Sequence, residues 1–143
     1  MSKIIFVGIH NAPGKTPLDS STYTGRAVDE IIAKVFIGIK CVKSNLWDQT
    51  TPPNITRRTF GQQMGHVTDW IKRTDYKQGD IIISLGELVH GVFSYWMKVE
   101  KNDQHRIFKV AHPSSHVARM KRAEYIKSTQ NGISQILMYY GKG

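Results

Sequence analysis

The run Ile4-Ile5-Phe6-Val7 limits how this chain can fold more than any other stretch does. Four consecutive apolar residues read as a strand buried on both faces. Such strands belong to parallel sheets covered by helices on each side. The run ends in Gly8-Ile9-His10-Asn11-Ala12-Pro13-Gly14, a turn-forming stretch that carries two polar side chains, His10 and Asn11. Ligands of open α/β sheets sit beyond the carboxyl ends of strands, so this loop is the first place to look for chemistry.

The rest of the chain alternates in the same way. Thr24 serves as the expected N-cap of a helix beginning near Gly25, with Ala27, Val28, Ile31, Ile32 and Val35 at helical spacing. Residues 35–46 are β-rich and read as a second strand ending at Ser44-Asn45. Residues 47–54 form a loop, and Thr56 can cap a second helix with the stripe Phe60, Met64, Val67 and Ile71. Ile81-Ile82-Ile83-Ser84-Leu85 is a third buried strand, followed by Gly86 and the stripe Leu88, Val89, Val92, Phe93, Trp96. A short fourth strand covers 106–111, and a last helix runs from about 119 toward 139. This alternation predicts a single domain over 1–143, a three-layer α/β/α sandwich around a central, mainly parallel four-stranded sheet. Right-handed crossovers then bring the loops after strands one, two and four to one edge of that sheet.

Charge points to a partner. The chain carries 20 Lys+Arg against 11 Asp+Glu, a formal net charge of +9, which favours a polyanion and most often nucleic acid. The excess is concentrated late, where Arg106, Lys109, Arg119, Lys121, Arg122 and Lys127 are set against one acid, Glu124. The single cysteine, Cys41, leaves no internal disulfide and no four-cysteine zinc or iron–sulfur site within one chain, and reads as a small buried hydrophobe. With no apolar run of membrane-spanning length and no signal peptide, the expectation is a soluble cytoplasmic protein that does not associate with membranes.

Gly14-Lys15-Thr16 resembles the end of a phosphate-binding P-loop, but the spacing fails. That motif needs four residues between its first glycine and the Gly-Lys pair. Here there are five, and one of them, Pro13, supplies no N–H to phosphate. Nor does a later apolar run end in the aspartate that would hold magnesium. A nucleotide hydrolase is therefore disfavoured.

Ala111-His112-Pro113-Ser114-Ser115 is more informative. A histidine leaving a strand, fixed by a proline and followed by hydroxyls, lies in the same layer as His10 and Asn11. A neutral imidazole there can donate to an oxygen that gains negative charge during a reaction. His66 and His90 fall on predicted helices and read as surface or packing residues. Trp70 and Trp96 read as core, and Trp47 as packing or pocket lining.

On these residues the chain resembles the uracil-DNA glycosylase superfamily. Val7-Gly8 through Ala12-Pro13-Gly14 looks like its first motif, the loop that carries the residue orienting the attacking water. Thr22-Tyr23-Thr24-Gly25-Arg26-Ala27 with Asp29-Glu30-Ile31-Ile32 is similar to the segment where an aromatic side chain stacks on the extruded base. Ile39-Lys40-Cys41-Val42-Lys43-Ser44-Asn45 occupies the place of the strand whose terminal asparagine reads the pyrimidine edge. Ile83-Ser84-Leu85-Gly86 is like its third strand and turn, and His112-Pro113-Ser114 matches its second histidine motif. The resemblance runs in order along almost the whole chain. Two departures stand out. The first loop is two residues longer than the superfamily's usual Gly-X-Ala-Pro-Gly or Gly-Ile-Asn-Pro-Gly, so His10 and Asn11 remain alternatives for orienting water. The iron–sulfur cysteines of the thermophile-type members are missing, so no cofactor and no metal is expected.

The resemblance implies a DNA-repair glycosylase, working as a monomer, that flips a uracil or another aberrant or modified pyrimidine out of DNA. Tyr23 would stack on the base, Asn45 would hydrogen-bond its Watson–Crick edge, and Gly8 would border the pocket. His112 would donate to the pyrimidine O2. Ser114 and Ser115 open the DNA-binding loop, Val117, Arg119 or Met120 would fill the gap left in the stack, and Arg119, Lys121 and Arg122 would hold phosphates. The alternative from another class is a catalytically silent DNA-binding accessory or regulatory protein on the same fold. A third reading is an enzyme on this scaffold that acts on an unusual base.

Overall fold

The computed structural model describes residues 3–9, 16–35, 38–47, 57–100 and 106–110, together with 127 and 131; the side chains of residues 23, 35, 57 and 58 are outside that description. Its elements run β1 (Ile4–Gly8), α1 (Tyr23–Val35), β2 (Cys41–Asn45), a 3₁₀ segment (Arg57–Gln63) leading directly into α2 (Met64–Thr74), β3 (Ile81–Leu85), α3 (Glu87–Glu100) and β4 (Arg106–Val110). Residues 127 and 131 are helical, within the span expected for the last helix.

The four strands form one sheet in the order β2-β1-β3-β4, and every pairing is parallel. The sheet is therefore fully parallel rather than mainly so. Side chains alternate across it. Ile4 and Phe6 of β1 and Ile81, Ile83 and Leu85 of β3 pack with Ala27, Val28 and Ile31 of α1. Ile5, Val7 and Ile82 face the other way, onto Val67 and Trp70 of α2 and Val89, Val92, Phe93 and Trp96 of α3. Helices thus cover both faces of an α/β/α sandwich, as the uniformly apolar strands require. Each fully buried Ile or Val in β1 and β3 contributes about 1.5–3 kcal/mol relative to exposure. Trp70 and Phe93 meet edge-on with ring centroids 4.8 Å apart, which secures α2 against α3.

Some boundaries differ from the sequence expectation. The cap of α1 is Thr22, not Thr24: its Oγ1 accepts from the Gly25 N–H at 3.0 Å, and its carbonyl accepts the first helical bond from the Arg26 N–H. Helix α1 runs through Val35, so the second strand is confined to Cys41–Asn45 rather than beginning at 35. On α3, Leu88 lies off the buried stripe and is 40% exposed. Cys41 is only part-buried, and burial pushes its thiol up to about 11, which leaves it a poor nucleophile. Among the described residues no helix is long and apolar enough to cross a membrane.

Candidate active site

The strand order creates the site. From β1 the chain steps outward to β2, then returns past β1 to β3, so the connections leaving β1 and β3 diverge at their carboxyl ends. In open parallel sheets such a switch point is where a crevice opens. The registers place the strand ends at one height: Gly8 pairs with Asn45, Val7 with Ser84, Ser84 with Lys109, and Leu85 with Val110. Gly8 and Val110 are thus level and two strand spacings apart, roughly 10 Å. His10 and His112 each follow these anchors by two residues.

Asn45 occupies the inner wall of this edge. Strand alternation sends Ser44 to the α2 face and Asn45 to the α1 face. Ser44 is 3% exposed; its Oγ donates to the Phe6 carbonyl at 2.8 Å and accepts from Trp70 Nε1 at 2.9 Å. Asn45 is 2% exposed, and its side chain lies across Gly8. A Cβ built on Gly8 would collide with Asn45 Oδ1 and come within 3.1 Å of Leu18 Cδ2. Glycine at position 8 is therefore what lets the amide lie over the end of β1. Replacing Gly8 by alanine should cost about 1–3 kcal/mol, the usual effect of overpacking a filled site. Urea unfolding reads this, and a change below about 0.5 kcal/mol would mean that the amide swings aside freely.

Chain pairing continues past β2. The Leu46 N–H donates to the Gly8 carbonyl at 3.0 Å and the Trp47 N–H to that of Ile9 at 2.9 Å. Trp47 is 1% exposed and leans on the His66 ring, centroids 5.3 Å apart, so its role here is packing.

The third wall is the turn before α1. Asp19 accepts from the Ser21 N–H at 2.9 Å and from Thr16 N–H and Oγ1 at 3.2 and 2.9 Å. These bonds, Ser21's first, hold its carboxyl well below the usual carboxylate range. The turn forces Leu18, which touches the Gly8 position, into the left-handed region at φ 50°. A leucine held there is strained, at a cost of about 1–3 kcal/mol. Gly25 packs so closely on the Asp19 and Leu18 carbonyls that any side chain would strike them. Lys43 of β2 pairs with Asp29 of α1 and donates to Ser20 Oγ at 3.2 Å, binding turn, helix and strand together. Tyr23 is the first residue of α1, directly after this turn.

On the β3–β4 side of this edge, the Gly86 N–H donates to the Val110 carbonyl at 2.9 Å and ties the exit of β3 to the end of β4. Lys109 lies 3.6 Å from Glu87 Oε1 at the start of α3. Burial, and then the Lys109 charge, lower the His90 pKa, while its buried Nδ1 and the buried Ser84 Oγ have no hydrogen-bond partner among the described residues.

Of the site residues expected from the sequence, the structure brings Gly8 and Asn45 into contact and sets Tyr23 at the head of α1. His10, Asn11, His112, Ser114, Ser115, Val117, Arg119, Met120, Lys121 and Arg122, and the Tyr23 side chain, lie outside the described residues and atoms. Leu18 and Asp19 enter the site from structure alone, as does Arg73 of α2, whose Nη2 donates to the Asn45 and Leu46 carbonyls. Asp19-Ser20-Ser21-Thr22 does carry a legible turn-and-cap signature, a carboxylate and hydroxyls spaced to bond their own backbone. Compared with protein-family models and with the curated proteins, the chain matches none.

Proposed function

We propose that this protein is a DNA glycosylase that hydrolyses the N-glycosidic bond of uracil, or of another aberrant or modified pyrimidine, flipped out of DNA. The observation that carries the reading is the levelled carboxyl edge: Asn45 sits beneath Gly8, and the loops bearing His10-Asn11 and His112 are rooted at the same height about 10 Å apart. That spacing suits one nucleobase gripped between them.

The chemistry follows from the side chains. A base stacked in a duplex is out of reach, and extruding it costs a few kcal/mol, least for a mispaired base. Asn45, with both amide donor and acceptor, complements a pyrimidine edge. Its enclosure means that the base it reads is drawn into the fold. Tyr23 covers the base face. As the C1′–N1 bond breaks, the electron pair moves onto the ring and charge gathers at O2, where His112 donates. His10 or Asn11 holds the water whose oxygen bonds to C1′, and its proton passes to solvent. The basic run around Arg119, Lys121 and Arg122 holds phosphates.

Duplex and single-stranded oligonucleotides, each carrying one odd base, test this reading. The expected result is alkali-labile abasic sites with one pyrimidine. Tight binding with no abasic product from any base would instead leave the silent DNA-binding protein on this fold. Binding itself should weaken by roughly 10³-fold or more between 50 and 200 mM salt if about six phosphates are neutralised. A flat salt response would count against every DNA-binding reading.

A further inference from the structure

Among the described residues β2 is the edge strand of the sheet, with no strand beside its outward-facing carbonyls. One side chain from α2 covers them where the strand ends. Arg73 Nη2 donates to the Asn45 carbonyl at 3.1 Å and to the Leu46 carbonyl at 3.1 Å, while Arg73 Nε donates to Asp69 Oδ2 at 2.7 Å. Asp69 lies one turn earlier on the same helix and fixes the plane of the guanidinium. The preceding residue is held independently, through Ser44 Oγ between Phe6 and Trp70. On the inner side, the Leu46 N–H is bonded to Gly8. The backbone on each side of Asn45 is therefore clamped, with Arg73 holding its outer side.

We infer that Arg73 is a positioning residue for Asn45, fixing the direction of its amide and thereby the pyrimidine selectivity of the site. The functional half of this inference rests on the glycosylase reading; the geometric half does not. A guanidinium suits the task because it reaches two successive carbonyls while a third N–H stays on Asp69. A lysine ammonium has the charge but not the planar fork.

The test compares wild type with Arg73→Gln and Arg73→Lys in the full chain. Single-turnover excision should slow by about 10²-fold in Arg73→Gln, the scale expected from misplacing a reacting group by about 1 Å. Discrimination between the preferred pyrimidine and cytosine should narrow as well, and Arg73→Lys should recover only part of either effect. A merely structural arginine would lower the melting temperature and leave the discrimination ratio where it was. Nuclear magnetic resonance supplies an arm independent of catalysis. The Asn45 side-chain NH₂ signal should shift, and the Leu46 amide should exchange at least 10-fold faster in Arg73→Gln. If that variant does not fold, Asp69→Asn, which frees only the guanidinium plane, should move the same two signals in the same direction by less. Unmoved Asn45 and Leu46 signals in a folded variant would overturn the inference whether or not any base is excised. Moved signals in a protein that excises nothing would keep the clamp and sink the glycosylase reading instead.

Discussion

Replacing Asp80 by alanine should lower stability by about 3 kcal/mol or more, the scale for removing one partner of a buried ion pair. Asp80 is 5% exposed and ties the amino ends of two strands together. Its Oδ1 accepts from the Lys3 N–H at 3.1 Å; its Oδ2 accepts from Lys3 Nζ at 2.6 Å and from the Lys77 N–H at 3.0 Å. Without it the Lys3 ammonium keeps the Asp75 carbonyl at 2.7 Å but loses its counter-charge. Burial alone would raise the Asp80 pKa; the bonds from Lys3 and Lys77 outweigh it and leave the carboxyl below its ordinary value. A carboxylate depressed in the folded state contributes stability above its unfolded pKa, near 3.8, and loses it as pH falls through the folded value. The gap between wild type and Asp80→Ala should thus be constant from about pH 5 to 8 and close below about pH 4. Thermal unfolding at neutral pH should show a drop of about 10 °C. Because Asp80 lies at the edge opposite the crevice, activity per folded molecule should be unchanged. A pH-independent gap would remove the ion pair from the explanation.

Replacing His112 by alanine should lower the single-turnover excision rate by about 10²–10³-fold, the usual loss when one donor to a developing oxyanion is removed. DNA affinity should stay within a few-fold, since in the proposed mechanism the imidazole acts on charge that appears only as the glycosidic bond breaks. The electrophoretic binding constant and the rate therefore separate the two roles. A variant that binds poorly and, once saturated, cuts at the wild-type rate would make His112 a DNA contact.

Much of this fold is legible in the sequence because its two central strands are buried on both faces. Ile4-Ile5-Phe6-Val7 and Ile81-Ile82-Ile83 have no polar alternation, so only a parallel sheet between helices accommodates them. The stripe Val89, Val92, Phe93, Trp96 is equally plain, whereas Leu88 sits one position off it and turns outward. Local propensity misled at the start of β2: residues 35–40 are β-rich, yet α1 carries on to Val35, and Gly38, with φ 79°, lies between helix and strand. At the site, Asn45 can be found from its place at the end of a strand. Arg73 cannot, because nothing in its helical spacing shows that it reaches carbonyls 27 and 28 residues away. Leu18 is equally silent, since a leucine gives no sequence cue for a left-handed backbone.

The central claim is that water, positioned at this edge, replaces a pyrimidine on the deoxyribose. Reaction in ¹⁸O-water of a duplex carrying the preferred base, followed by mass spectrometry of both products, tests it most directly. The expected result is a free, unlabelled base and an abasic strand heavier by one ¹⁸O for ¹⁶O replacement at C1′, formed at a rate that falls with His112→Ala. An intact, unlabelled oligonucleotide after prolonged incubation, with every pyrimidine offered and the protein shown to be bound, would contradict the account.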